Sequence, residues 1–292
     1  MYLPLNIDFL QPLSIPTQRY SVDSIHEQGS GESNEDRLLL GDGIYGVFDG
    51  ATSLGSKERF DGLSGGAMAA HIAKDTFLHT EENLYDAALE ANRRLAIAQV
   101  SAGKDLSSRD SLWSTSMAVV RIDGNQLEYC QTGDSLIMLM YKDGSHGLIT
   151  PEVDIDRETM MLWQTLSARE QKETGSIYTS LGAQIRKVRL EMNRSYGVLN
   201  GEPEAAGFLA HGNISLSSVT DILIFTDGLY LPKKDPSQQS DWATYTRLYK
   251  EKGLAGLKDW VKSLQSSDPS LNVYPRFKIH DDMAAVSLSF TS

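Results

Sequence analysis

The chain has 292 residues, 40% hydrophobic and 23% charged, and its 27 basic against 39 acidic side chains leave a net charge of −12. That balance argues against nonspecific attachment to nucleic acid or to an anionic membrane, and no apolar run approaches the ~20 residues of a membrane-spanning helix. The length allows one domain or two; one is expected, over residues 20–292, behind an N-terminal extension at 1–19. A single cysteine, Cys130, excludes an internal disulfide and suits a reducing compartment. Residues 1–16 show neither the basic n-region nor the cleavage pattern of a secretory leader, so a cytoplasmic monomer is expected.

Taken in chain order, 37–40 and 44–48 read as a hairpin, joined by Gly41-Asp42-Gly43, whose composition permits positive φ. Ala, Leu and Ile then recur at three- and four-residue spacings over 63–78 and 83–100, which predicts two amphipathic helices. Short β-rich runs at 116–122, 126–131 and 136–141 follow and read as an antiparallel meander, with Cys130 as a small core residue. From 151 to 175 the pattern turns charged and helix-prone, an inserted element with Met160, Met161, Trp163 and Leu166 as its buried side. Strands are expected again at 187–190, 195–199 and 222–225, then a helix over 240–264 interrupted at Gly253, then a last strand at 283–290. Strands flanking helix pairs indicate an α+β sandwich rather than alternating βαβ units.

Four short acidic segments stand at the lips of these apolar runs: Asn34-Glu35-Asp36, Val47-Phe48-Asp49-Gly50, Phe225-Thr226-Asp227-Gly228 and His280-Asp281-Asp282-Met283. Mg²⁺ and Mn²⁺ take oxygen ligands in near-octahedral order, a few carboxylates with several waters, and Asp49, Asp227 and Asp281 suit that role. Gly50 lets the backbone turn and offers an unhindered carbonyl as a further oxygen ligand, and Asp227-Gly228 repeats the arrangement. One Asp-Gly pair alone is usually a turn; the joint pattern carries the inference. If the substrate is a phosphate ester, positive charge must offset the net −12 locally, and no lysine-rich loop supplies it. Bound divalent cations would.

Those segments, together with Ser114-Thr115-Ser116 and Thr132-Gly133-Asp134-Ser135, occur in an order that resembles the PPM-type metal-dependent protein phosphatases, the type 2C serine/threonine enzymes, in a divergent, bacterial-like form. The resemblance covers nearly the whole chain. It implies a four-layer αββα sandwich, two antiparallel sheets face to face with helices outside, and a centre of two divalent cations, Mn²⁺ or Mg²⁺, at one end. Carried over by position, Asp49 would bridge both metals, the Gly50 carbonyl would bind one, and Asp227 and Asp281 would bind the other. Glu35 would hold water in the outer shell and Asp36 would support the same edge, with Asp282 a supporting or turn residue. A water or hydroxide between the metals would attack phosphorus in line. Asp134 resembles a residue linked to a third, weaker metal; its usual partner position is Leu231 here, so Asp134 is read first as a turn-capping residue. The family's variable element after the Gly-Asp-Ser strand makes 151–175 a flap beside the centre.

The departures matter as much as the matches. Ala51 stands where eukaryotic members often carry a histidine that protonates the leaving group, leaving Thr52 or Ser53 as a relay through water. The stretch before Glu35, Gly29-Ser30-Gly31-Glu32-Ser33, lacks the usual phosphate-binding arginine; it reads either as an anion nest or as a connector, and Arg37 is expected to turn elsewhere. The six histidines show no metal-ligand pairing, and His280 is read as a strand-opening residue. The expected activity is hydrolysis of a phosphate monoester, in a phosphorylated protein or a small molecule. A phosphatase-like regulatory module that keeps its metal is the alternative, and a domain whose acids merely cap turns ranks last.

Overall fold

The computed structural model describes residues 19–52, 59–60, 62–166 and 177–291. The extension expected at 1–19 lies outside them except for Arg19, as does 167–175 of the inserted element. Two five-stranded antiparallel sheets face each other. One runs, in order, β1 (Tyr20–Glu27), β10 (Met283–Phe290), β9 (Val219–Phe225), β6 (Leu136–Tyr141), β7 (His146–Leu148). The other runs β2 (Arg37–Leu40), β3 (Ile44–Ala51), β4 (Ser114–Asp123), β5 (Gln126–Thr132), β8 (Ala210–Ser215).

The central strands are apolar at nearly every position because both of their faces are covered. Successive side chains point to opposite faces of a strand, so Tyr45, Val47, Ala118, Val120, Ile137, Leu139, Ile222, Ile224, Ala284 and Val286 meet in the layer between the sheets. The alternate residues go outward. Phe48, Met117 and Val119 pack under α1 (Gly65–Leu78) and α2 (Leu84–Ser101), while Met138, Leu223, Phe225 and Ala285 pack under α5 (Trp242–Ser266). Fully burying a Phe or Leu stabilises by about 1.5–3 kcal/mol, and the four layers rest on these three clusters.

Helices α1, α2 and α5 start where the sequence supplies a cap. Ser64 accepts from the Ala67 amide and Asn83 from the Asp86 amide, satisfying donors that have no partner within the helix. Gly253 breaks α5 as expected, at φ 70° and ψ −177°.

Several expectations fail for identifiable reasons. The meander does not hold: β5 pairs with β4 and β8, while Gly133, at φ 76°, turns the chain across to the other sheet, where β6 pairs with β9. Residues 187–190 are helical, not extended, and end α4 (Ile177–Leu190). The decisive signal there is the spacing of Ile177, Leu181 and Ile185, a helical period that buries them against Met160 and Trp163 of α3 (Arg157–Thr165). Met161 is 42% exposed, one position off the face carrying Met160 and Trp163. Segment 195–199 is a loop with two isolated bridges, Leu199 to Thr115 and Tyr196 to Met192, beside buried Asn193 at φ 54°. β1, β7 and β8 were not expected; their residues are mostly polar or half-exposed, and apolar runs do not mark them.

Candidate metal centre

The antiparallel order brings the C-terminal ends of β3 and β9 and the N-terminal ends of β4, β6 and β10 to one end of the sandwich. Asp49 follows the inward parity of Tyr45 and Val47, Asp134 precedes β6, Asp227 follows β9 and Asp281 precedes β10. With Glu35 and the Gly50 backbone, these four line one cavity of about 220 Å³. They are open to water only in part, by way of that cavity.

Around the cavity a hydrogen-bonded frame fixes the loops. Asp282, 3% exposed, accepts from the Gly29 amide at 2.8 Å and the Glu35 amide at 2.9 Å, so it fastens the Gly29–Glu35 approach to the start of β10. Ser30 N–H donates to the His280 carbonyl at 2.8 Å. The Gly29 and Ser30 donors are therefore engaged within the protein, and the anion-nest reading of that stretch fails for them. Asp36, 2% exposed, accepts from Thr226 Oγ1 at 2.8 Å and so links the two sheets. Glu35 accepts from both Thr52 Oγ1 and Ser64 Oγ. Thr52 in turn accepts from the Gly66 amide, so its hydroxyl is occupied and a Thr52 relay has no free proton; Ser53 lies outside the described residues. Arg37 donates to the Asn34 and Asp36 carbonyls, away from the cavity. His280 Nδ1 pairs with Gln265 Oε1 on α5 at 2.8 Å.

Electrostatically the cluster is unbalanced. Burial, then the charges of its neighbours, raises the pKa of Asp49 and of Asp227 well above the usual carboxylate value; burial does the same for Asp36 despite the Thr226 bond. Neither the Asp49 nor the Asp227 carboxyl has a hydrogen-bond partner among the described residues. Buried carboxylates without donors or counter-ions are costly, and a divalent cation is the partner that such a donor set fits. Among the described residues no three Asp, Glu, His or Cys side chains form a closed ligand cage as they stand. Mg²⁺ and Mn²⁺ keep several waters and need few direct protein ligands, so a sparse carboxylate set is compatible with them. Asp134 is tied at its backbone, where Tyr230 Oη donates to its carbonyl at 2.5 Å; burial raises the pKa of its carboxyl, with Ser116 opposing the shift.

Two cations line the same cavity, and neither was expected. Lys278 donates to Asp281 Oδ1 at 2.7 Å. Arg189, 8% exposed, donates through Nη2 to the Leu112 carbonyl at 2.6 Å and through Nε to that of Asp110 at 3.3 Å. Asp156 and Tyr196 complete the flap side of the wall. Lys278 was visible three residues before Asp281. Arg189 was hidden by reading its segment as a strand, and Asp156 carried only the signal of a helix-start residue.

Three comparisons bear on this geometry. The catalytic domain of the serine/threonine phosphatase PstP, solved in complex with two manganese ions, is 18% identical with a TM-score of 0.56, over 94% of this chain and 98% of that one. The PstP/Ppp phosphatase of Mycobacterium tuberculosis gives 16% identity and a TM-score of 0.57, over 94% and 99%. PppA of Pseudomonas aeruginosa, described as a key regulatory component of T6SS, gives 15% and 0.57 over the same shares. At these identities the likeness concerns the fold, which is the αββα sandwich expected from the sequence. No curated protein matches the sequence significantly. The family model described as Protein phosphatase 2C matches residues 26–262, most of the chain, and on that match the protein belongs to the protein phosphatase 2C family.

Proposed function

We propose that the protein is a divalent-cation-dependent phosphomonoesterase, using Mn²⁺ or Mg²⁺, whose substrates are phosphoserine and phosphothreonine in proteins. The observation that carries this reading is the convergence of Asp49, Asp227 and Asp281, from three strands of two sheets, on one cavity with two of the carboxyls unpartnered. Asp49 and the Gly50 carbonyl would hold one cation, and Asp49, Asp227 and Asp281 the other. When bound, the cations would neutralise the phosphoryl oxygens and lower the pKa of the attacking water. Glu35, immobilised by Thr52 and Ser64, orients water at the cavity edge. Lys278 restrains Asp281, and Arg189 brings a fixed positive charge to the wall where the expected arginine before Glu35 is missing. Arg189 suits this task because its guanidinium is anchored by two carbonyls and cannot swing away. Asp134 stays a turn residue in this reading, available to a third cation only at weaker affinity.

The test is hydrolysis of p-nitrophenyl phosphate and of a phosphoserine peptide by chelator-stripped protein, with and without added Mn²⁺. Activity is expected only with the metal. Metal-independent hydrolysis, or none under either condition, contradicts the proposal, and Mn²⁺ binding without turnover marks the regulatory-module alternative instead.

A further inference from the structure

Behind the Arg189 wall of the cavity lies a buried polar network centred on Glu202, 8% exposed, in the connection between α4 and β8. Its Oε1 accepts from Arg109 Nε at 2.6 Å, and its Oε2 from Asn200 Nδ2 at 2.6 Å and Asn193 Nδ2 at 3.3 Å. Two side chains of α2 join it. Asn92 donates to the Glu202 carbonyl and accepts from the Asn200 and Gly201 amides, and Gln99 donates to the Asn200 carbonyl. Replacing a buried ion pair by apolar residues of similar volume is often neutral or stabilising, so packing alone does not account for Arg109 and Glu202 here.

What the network holds is the turn at 109–113. Arg109 joins Glu202 through Nε and the carbonyl of Leu190, the last residue of α4, through Nη1 at 3.3 Å. The other end of the turn is fixed by Gln99 Oε1, which accepts from the Trp113 amide at 2.8 Å. Between these two anchors lie the carbonyls of Asp110 and Leu112, the pair that accepts from Nε and Nη2 of Arg189. Arg189 Nη1 has no hydrogen-bond partner among the described residues, although the side chain is 8% exposed and lines the cavity. A buried guanidinium held along one edge presents its remaining donors in a fixed direction, the geometry that suits a phosphoryl group.

We propose that Glu202 is a positioning residue for substrate binding: through Arg109 it fixes the 109–112 turn, whose carbonyls set Arg189 against the phosphoryl group in the cavity. The inference rests on the phosphatase reading of that cavity. Glu202 itself touches no substrate. Its carboxylate is the common acceptor for Arg109, Asn193 and Asn200, so it ties the turn to the loop after α4 and, by way of Asn92 and Gln99, to α2. Once the turn is loose, its carbonyls no longer select one Arg189 rotamer, and binding energy is spent on ordering that side chain.

The experiment is a double-mutant cycle on the Mn²⁺-loaded full chain, with p-nitrophenyl phosphate as substrate: wild type, Glu202→Gln, Arg189→Gln and the pair. Glutamine offers one acceptor where Glu202 offers two, so its amide N–H must face a donor of either Arg109 or Asn200. Each single variant should raise KM by about 10-fold with kcat changed less than about threefold, the pattern of lost uniform binding. The double variant should match Arg189→Gln alone rather than reach the roughly 100-fold product, because both changes remove one contact. Should Glu202→Gln fail to fold, Arg109→Gln cuts the same link from the other side and carries the same expectation. A lowered melting temperature with KM unchanged, or KM effects that multiply in the double variant, would mean that the network serves stability alone and would overturn the proposal. An unchanged KM in Arg189→Gln would overturn it as well. If wild type with Mn²⁺ hydrolyses no substrate, the phosphatase reading itself fails and this inference with it; if wild type is active and the cycle is additive, only the present inference fails.

Discussion

Asp49→Asn and Asp227→Asn should each lower phosphomonoester turnover by about 10³-fold or more, while leaving the circular dichroism spectrum unchanged and raising the melting temperature of the metal-free protein. The two effects have one cause. Each carboxyl lies in a cavity wall with no hydrogen-bond donor among the described residues; Asp49 is crowded by Asp36, Asp227, Asp134 and Asp281, and Asp227 by Asp281, Asp134, Asp36 and Asp156. Asparagine keeps the shape and removes only the charge. Without metal, that charge is a cost, so its removal should stabilise by ~1–2 kcal/mol, roughly 2–8 °C in a chain of this size. With metal, the same charge is the ligand, and its removal leaves the cation underbound. A carboxylate with a merely structural role would lower stability on substitution, so retained activity or a lower metal-free melting temperature in either variant would contradict the ligand assignment.

Gly228→Ala should be the most damaging of the small substitutions, at about 3 kcal/mol or more of stability, with turnover lost alongside. A β-carbon at 228 would fall 1.8 Å from the Asp282 carbonyl oxygen and 3.3 Å from Met283 Cγ. Neither neighbour has room to retreat. Asp282 is held through its side chain by the Gly29 and Glu35 amides, and Met283 opens a central strand at 0% exposure. Relief therefore has to come from separating the Asp227 turn from the start of β10, and Asp227 and Asp281 stand on those two pieces. Gly124→Ala is the control. Its φ is positive, at 56°, unlike that of Gly228, and nothing lies within 4 Å of the added carbon, so only backbone strain is at issue, about 1 kcal/mol. Equal melting temperatures for the two variants would show that the close approach of Gly228 to the Asp282 carbonyl is not the constraint described.

The central sheet strands were legible in the sequence because burial on both faces leaves continuous apolar runs, as at Ile222–Phe225 and Met283–Phe290 within β9 and β10. The acids at their ends were legible for the same reason, since a carboxylate directly after such a run stands out. What escaped notice was whatever depends on chain crossings or on long-range partners. Nothing local distinguishes a meander from the crossover at Gly133, because β5 satisfies its second edge with β8, about eighty residues away in the chain. Arg189 reaches the cavity only because α4 is helical and its guanidinium finds the carbonyls of Asp110 and Leu112. Asp156 offered a helix-start signal, and the sequence gives no means of seeing that its side chain leaves that task undone. Asp281 and Asp282 illustrate the division: adjacency says that they point apart, and the structure adds that Asp282 is the frame and Asp281 the lining.

The most direct test of the metal centre is anomalous diffraction from crystals of the full chain soaked in Mn²⁺. The expected result is two strong manganese peaks in the cavity, with Asp49 between them, the Gly50 carbonyl at one, and Asp227 and Asp281 at the other. Peaks that avoid Asp49, or a cavity with no manganese at saturating concentration, would contradict the account.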